Sequence, residues 1–76
     1  MAMPWMVQTI LDGLEEERRV VFVLTELEEF TAAEIAETLG IGINSVYSRL
    51  RLARRDFNQA LQRQQARQTG KAHERP

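Results

Sequence analysis

The sequence predicts an all-α fold: a small four-helix domain that contains a helix-turn-helix, followed by a disordered polar C-terminal tail. Three observations predict it. Apolar residues recur at helical spacing through most of the chain. The nineteen residues from Phe30 to Ser48 (FTAAEIAETLGIGINSVYS) carry the start and stop signals of two helices joined by a short turn. The second of these helices then holds four arginines between Arg49 and Arg55. A cationic helix in that position points to double-stranded DNA.

Taken in order, the elements have local justifications. Pro4 suits a first helical turn, and Val7, Ile10, Leu11 and Leu14 recur at the i, i+3, i+4, i+7 spacing of one buried face, with Gly13 ending the helix. The run Val20-Val21-Phe22-Val23-Leu24 is β-branched and aromatic enough to read equally as a buried strand. Helix is the better reading, because Val20, Val23, Leu24 and Leu27 form a helical stripe and Glu15, Glu16 and Glu17 suit the positive end of a helix dipole. No partner strand is visible elsewhere.

The third helix, Thr31 to Leu39, opens on a capping box. The Thr31 hydroxyl takes an amide at the helix start while the Glu34 carboxylate reaches back to the amide of Thr31. Phe30 and Ile35 stand where a hydrophobic staple closes over that cap, and Gly40 supplies the left-handed residue that ends the helix. Ala36, Gly40 and Val46 fall where two steeply crossing helices need a small contact residue, a turn glycine and an inward apolar anchor. The fourth helix begins near Ile43 and runs past Leu61, with Val46, Leu50, Ala53, Phe57 and Leu61 on one narrow arc. The opposite arc holds Asn44, Ser48, Arg51 and Arg55, with Ser45, Tyr47, Arg49 and Leu52 on its shoulders. From Gln62 the apolar period is lost, so the domain is expected over residues 4–62 and a disordered polar tail over 63–76.

Composition narrows the function. A chain of 76 residues has room for one small core. The absence of cysteine excludes disulfides and thiolate zinc sites and fits a reducing cytoplasm. The longest wholly apolar run, Val20 to Leu24, falls far short of the roughly 20 residues that span a bilayer. Met1 to Trp5 lacks the basic start of a signal peptide, so a soluble cytoplasmic protein without membrane contact is expected. Net charge is only −1, but its distribution is uneven: residues 1–40 hold nine acids and two bases, and residues 41–76 hold eight bases and two acids. Binding to a polyanion follows the local field rather than the total.

Catalysis has little support. Gly40-Ile41-Gly42 follows no strand and precedes no lysine-serine pair, so it is not a phosphate loop. Ser45 and Ser48 have no histidine within reach by sequence, and His73 stands alone without a second metal ligand. No catalytic residue, metal or cofactor is expected. Simpler readings exist for individual residues. Arginines on a helix are often a solvated face, Tyr47 is as well placed to pack on a neighbouring helix, and Glu26, Glu28, Glu29 and Glu37 are most simply a solubility surface. Trp5 reads as a cap on the small core. The turn motif is what favours a DNA role for the basic arc.

The chain resembles a known family. Leu14, Arg19 with Val21-Phe22, Leu24 with Leu27-Glu28, Glu34-Ile35-Ala36, Leu39-Gly40-Ile41, Val46 with Ser48-Arg49-Leu50, and Ala53-Arg54 match in one unbroken register. They resemble the carboxy-terminal, region-four domain of bacterial sigma factors, most closely the extracytoplasmic-function group. The resemblance implies a role in transcription initiation, docking on RNA polymerase through the flap of its β subunit and reading the minus-thirty-five promoter element with the last helix. It also implies possible restraint by an anti-sigma factor. Glu15 and Gly42 stand where that family usually has proline, Tyr47 where it commonly has a basic residue, and Leu52 where it commonly has arginine. A complete sigma factor also melts the promoter, and nothing in these residues resembles the domain that does so.

Carried over by position, Ser48 and Arg51 approach base edges, and Tyr47 and Leu52 supply apolar contact to thymine methyl groups or, from Tyr47, a hydroxyl contact. Asn44 and Ser45 at the helix start, with Arg49, Arg54 and Arg55, contact phosphate. Two alternatives use the same helices. One is a module that binds polymerase or an anti-sigma factor without DNA, and the other is the DNA-binding domain of a quorum-sensing-type response regulator.

Overall fold

Four helices follow one another as α1 (Pro4–Gly13), α2 (Glu16–Glu26), α3 (Ala32–Leu39) and α4 (Ile43–His73). The computed structural model describes residues 4–73, with side chains through residue 67. Among the described residues there is no strand, so the apolar run at 20–24 is helix. α4 is the hub, with α1, α2 and α3 all packed against it and only a slighter contact between α2 and α3.

Each boundary has a visible cause. α1 begins on Pro4, and the Leu14 amide closes its end by donating to the Leu11 carbonyl at 3.1 Å. Glu15, in extended backbone, precedes α2 and its carbonyl accepts from the amides of Arg18 and Arg19. The capping box of α3 is complete: the Glu34 amide donates to Thr31 Oγ1 at 3.1 Å and the Thr31 amide donates to Glu34 Oε1 at 2.8 Å. Gly40 ends α3 at φ 70°, and the Ile41 amide reaches back to the Ala36 carbonyl at 3.0 Å, a Schellman closure.

The main core takes Val21 from α2, Ile35 from α3 and Val46 and Leu50 from α4, with Phe22, Leu24, Phe30, Ala36, Leu39 and Ile41 packed around them. Phe30 therefore sits over the start of α3 as the staple requires. Phe22 and Phe57 stack with ring centroids 4.9 Å apart, tying α2 to α4. A second buried group, Met6, Ile10, Leu11 and Leu14, lies on the α1 side.

Two packing expectations are corrected. The inward residue of α2 is Val21, fully buried, whereas Leu27 is 59 % exposed. α2 stops at Glu26, and Leu27 caps it as the chain turns away, so the stripe never reaches that residue. On α1, Met6 is buried and Val7 only half-buried, a rotation of the face by one residue. Trp5, the expected cap, is 52 % exposed. α4 also runs on to His73, because glutamine, arginine and alanine are good helix formers. Loss of the apolar period at Gln62 ends the buried face, not the helical backbone. Residues 74–76 of the expected tail lie outside the described residues, as does the His73 side chain.

Candidate nucleic-acid interface

α4 has two opposed sides. Val46, Leu50 and Ala53 are buried and Phe57 and Leu61 partly so, as their common arc dictates. Asn44, Ser45, Ser48, Arg51, Arg54 and Arg55 are exposed. Tyr47 is 55 % exposed, so it does not pack into a neighbouring helix. Leu52 and Arg49 are half-buried at the margins. The nine sequence-selected residues thus lie along the first four turns of one helix, and two of them are drawn partly inward.

The turn before α4 presents its start. The amides of Ser45 and Val46 donate to the Gly42 carbonyl at 3.0 and 3.2 Å, which fixes the first turn beside Asn44. Amides at a helix start lack intrahelical partners, and the dipole there is positive.

The four arginines differ in their surroundings. Arg54 donates from Nε and Nη2 to the same Glu26 oxygen at 2.9 and 2.7 Å. Arg55 donates in the same way to Asp56 Oδ1 at 3.2 and 3.0 Å. Arg49 lies 3.9 Å from Glu17, at the outer limit of an ion pair. Arg51 makes no ion pair with any described residue and is exposed. Its guanidinium is the one on this face of α4 that needs no exchange of partner before meeting a ligand.

Asp56 links α4 to α2. Arg18 on α2 donates to its Oδ2 at 2.6 Å and pairs with Glu15 at 3.2 Å, so Glu15, Arg18, Asp56 and Arg55 form one chain of charge from α2 to α4. The hydrogen bond from Arg18, then that from Arg55, holds the Asp56 carboxyl below its ordinary range despite the opposing effect of burial. Pairing of Arg54 and Arg55 with acidic neighbours is among the readings the sequence allows, but sequence reasoning did not identify Glu26 as the partner of Arg54 or Arg18 as that of Asp56. They lie on other elements or looked solvated, and no spacing signal links them. It also passed over Ile43, the first residue of α4, which is 41 % exposed. At 100° per residue Ile43 shares its direction with Leu61 on the apolar arc, so helical spacing did not foretell its exposure.

A short turn between the capped helix α3 and α4, whose exposed side is basic, defines a helix-turn-helix of the DNA-binding kind. The family model for sigma-70, region 4 matches residues 5–57, and the chain belongs to that family. It is a DNA-binding domain of transcription rather than an enzyme family. The match spans α1 to Phe57, so it includes the whole basic face and stops short of the last turns of α4. No curated protein and no solved structure matches the chain. Among the described residues, no helix is long and apolar enough to cross a membrane.

Proposed function

We propose that this domain reads the minus-thirty-five promoter element for a sigma factor of the extracytoplasmic-function type, directing RNA polymerase to initiate transcription. The observation that carries the reading is the division of α4: Val46, Leu50 and Ala53 hold the core while Asn44, Ser48, Arg51 and Arg55 stay exposed on the other side. A duplex groove can receive that side without disturbing the fold. Ser48 and Arg51 read base edges, Arg51 through a bidentate contact to guanine. Tyr47 and Leu52 add apolar contact. Asn44, Ser45, Arg49, Arg54 and Arg55 set register on phosphate. Arg54 and Arg55 exchange Glu26 and Asp56 for phosphate as they do so, which makes their net contribution smaller than that of a free cation. Docking on the β flap, and restraint by an anti-sigma factor, belong to the same proposal.

Selection of duplexes from a random pool by the chain, with and without polymerase, tests it; recovery of a defined hexamer is expected. Against that hexamer, Arg51→Ala is expected to cost about 1 to 3 kcal/mol and relax preference at one base pair, whereas Arg54→Ala weakens all sequences alike. Equal, sequence-independent losses in anisotropy titrations overturn the assignment of Arg51. An empty selection with polymerase still bound favours a module that contacts protein alone.

A further inference from the structure

Two of the four large apolar side chains that stand exposed in this fold, Ile43 at 41 % and Tyr47 at 55 %, are one helical turn apart at the start of α4. They continue in the same i, i+4 row into Arg51, the arginine without an ion pair among the described residues. The row therefore runs aliphatic, aromatic, cationic. Among the described residues a good part of Ile43 and over half of Tyr47 stay uncovered, and burial of that surface would stabilise whatever complex covers it. Its surroundings identify the occupant by charge. No acidic residue occurs between Glu37 and Asp56, and Asn44, Ser48 and Arg51 border the pair, so the surface suits a polyanion.

We propose, resting on the promoter reading above, that Ile43 extends the apolar contact already given to Tyr47 into a two-residue reader of thymine 5-methyl groups in the major groove. Thymine is the one base that offers an apolar group there, and it gives an aliphatic or aromatic side chain something to distinguish. An i, i+4 step rises about 6 Å, close to two base-pair steps of about 3.4 Å, so successive members of the row address different base pairs. The selected element accordingly places A·T pairs beside the G·C pair read by Arg51, on the side of the α4 start.

The test couples a methyl group to a side chain. With the hexamer recovered by selection, each thymine is replaced in turn by uracil, which removes only the methyl, and affinities are measured for the full chain and for Ile43→Ala, Tyr47→Ala and Tyr47→Phe. At one or two thymines the unsubstituted chain is expected to lose about fourfold, the equivalent of one buried methyl-sized group. The same replacement is expected to leave the corresponding alanine variant unchanged. Tyr47→Phe should retain the methyl sensitivity, since the ring and not the hydroxyl makes the contact. Unfolding midpoints separate a lost contact from a lost fold: Tyr47→Ala should leave the midpoint unchanged, and Ile43→Ala, at a side chain 41 % exposed, should lower it only slightly. Equal losses in variant and parent, or a hexamer without thymine beside the Arg51 pair, overturn this proposal and leave the promoter reading standing. Variants that lose polymerase while keeping their duplex affinity also overturn it, because the row then belongs to a protein contact. Failure to select any duplex removes both.

Discussion

Asp56 carries more of the fold than its place on a basic helix suggests. Its carboxylate sits between Arg18 and Arg55 and is held charged by them, so its pKa in the folded chain lies below the ordinary 3.8. A carboxyl with a depressed folded pKa adds stability that is fully present above the unfolded value and is lost as pH falls through the folded one. Stability should therefore drop more steeply below pH 3.8 in the parent chain than in Asp56→Asn, measured as thermal midpoint against pH. At neutral pH the substitution should cost about 1 kcal/mol or less, because exposed pairs are weak. Water still reaches both side chains of the Arg18–Asp56 pair, 28 % and 24 % exposed. Glu29 offers a stabilising counterpart. It is the one non-glycine residue with positive φ, at 61°, among the described residues. A side chain in that conformation costs about 1 to 2 kcal/mol. Glu29→Gly is expected to raise stability by about 1 kcal/mol, less the entropy of a freer unfolded chain, seen as a higher urea midpoint at unchanged slope. None of this was legible in the sequence. Arg18 and Asp56 are 38 residues apart and Glu26 and Arg54 are 28 apart, so their pairing exists only once α2 lies against α4.

At the scale of elements, what could be read was what is decided locally. The Thr31–Glu34 box, the Phe30 staple and Gly40 all act within one or two turns, and each stands where the sequence placed it. The two sides of α4 were equally readable, because a long helix fixes its own arcs. The inward side of α2 was not, since four of its five central residues are apolar β-branched or aromatic and only the position of α4 selects Val21. The same division bears on the far end of α4. Its last turns, from Gln62 to His73, have no apolar stripe to bury, and helix propensity alone leaves a short segment marginal in water. Hydrogen exchange should show amides from Val46 to Phe57 protected to nearly the global stability and those beyond Arg63 exchanging close to the unfolded rate. Strong protection past Arg63 would mean that the terminal turns pack on something, and the tail reading of residues 63–76 would fall.

For the whole molecule, charge is sorted along the chain and then kept sorted in space, save where Glu17, Glu26 and Asp56 reach the basic face. A net charge of −1 conceals a domain able to meet a polyanion with one side only. If Arg49, Arg54 and Arg55 each neutralise one phosphate, the logarithm of duplex affinity should fall with the logarithm of salt at a slope near −3, about −0.9 per contact. A slope close to zero would mean that the basic face does not engage phosphate, and the binding partner would then be sought among proteins.

The two-sided construction of α4 also separates the residues that keep this domain intact from those left exposed to a partner. Ser48 and Arg51 point outward and touch no part of the core, and substitutions at such positions ordinarily leave stability within about 0.5 kcal/mol. If Ser48 and Arg51 read bases as proposed, base preference can be rewritten at these sites with little penalty to the scaffold, and new binding sequences can be acquired one residue at a time.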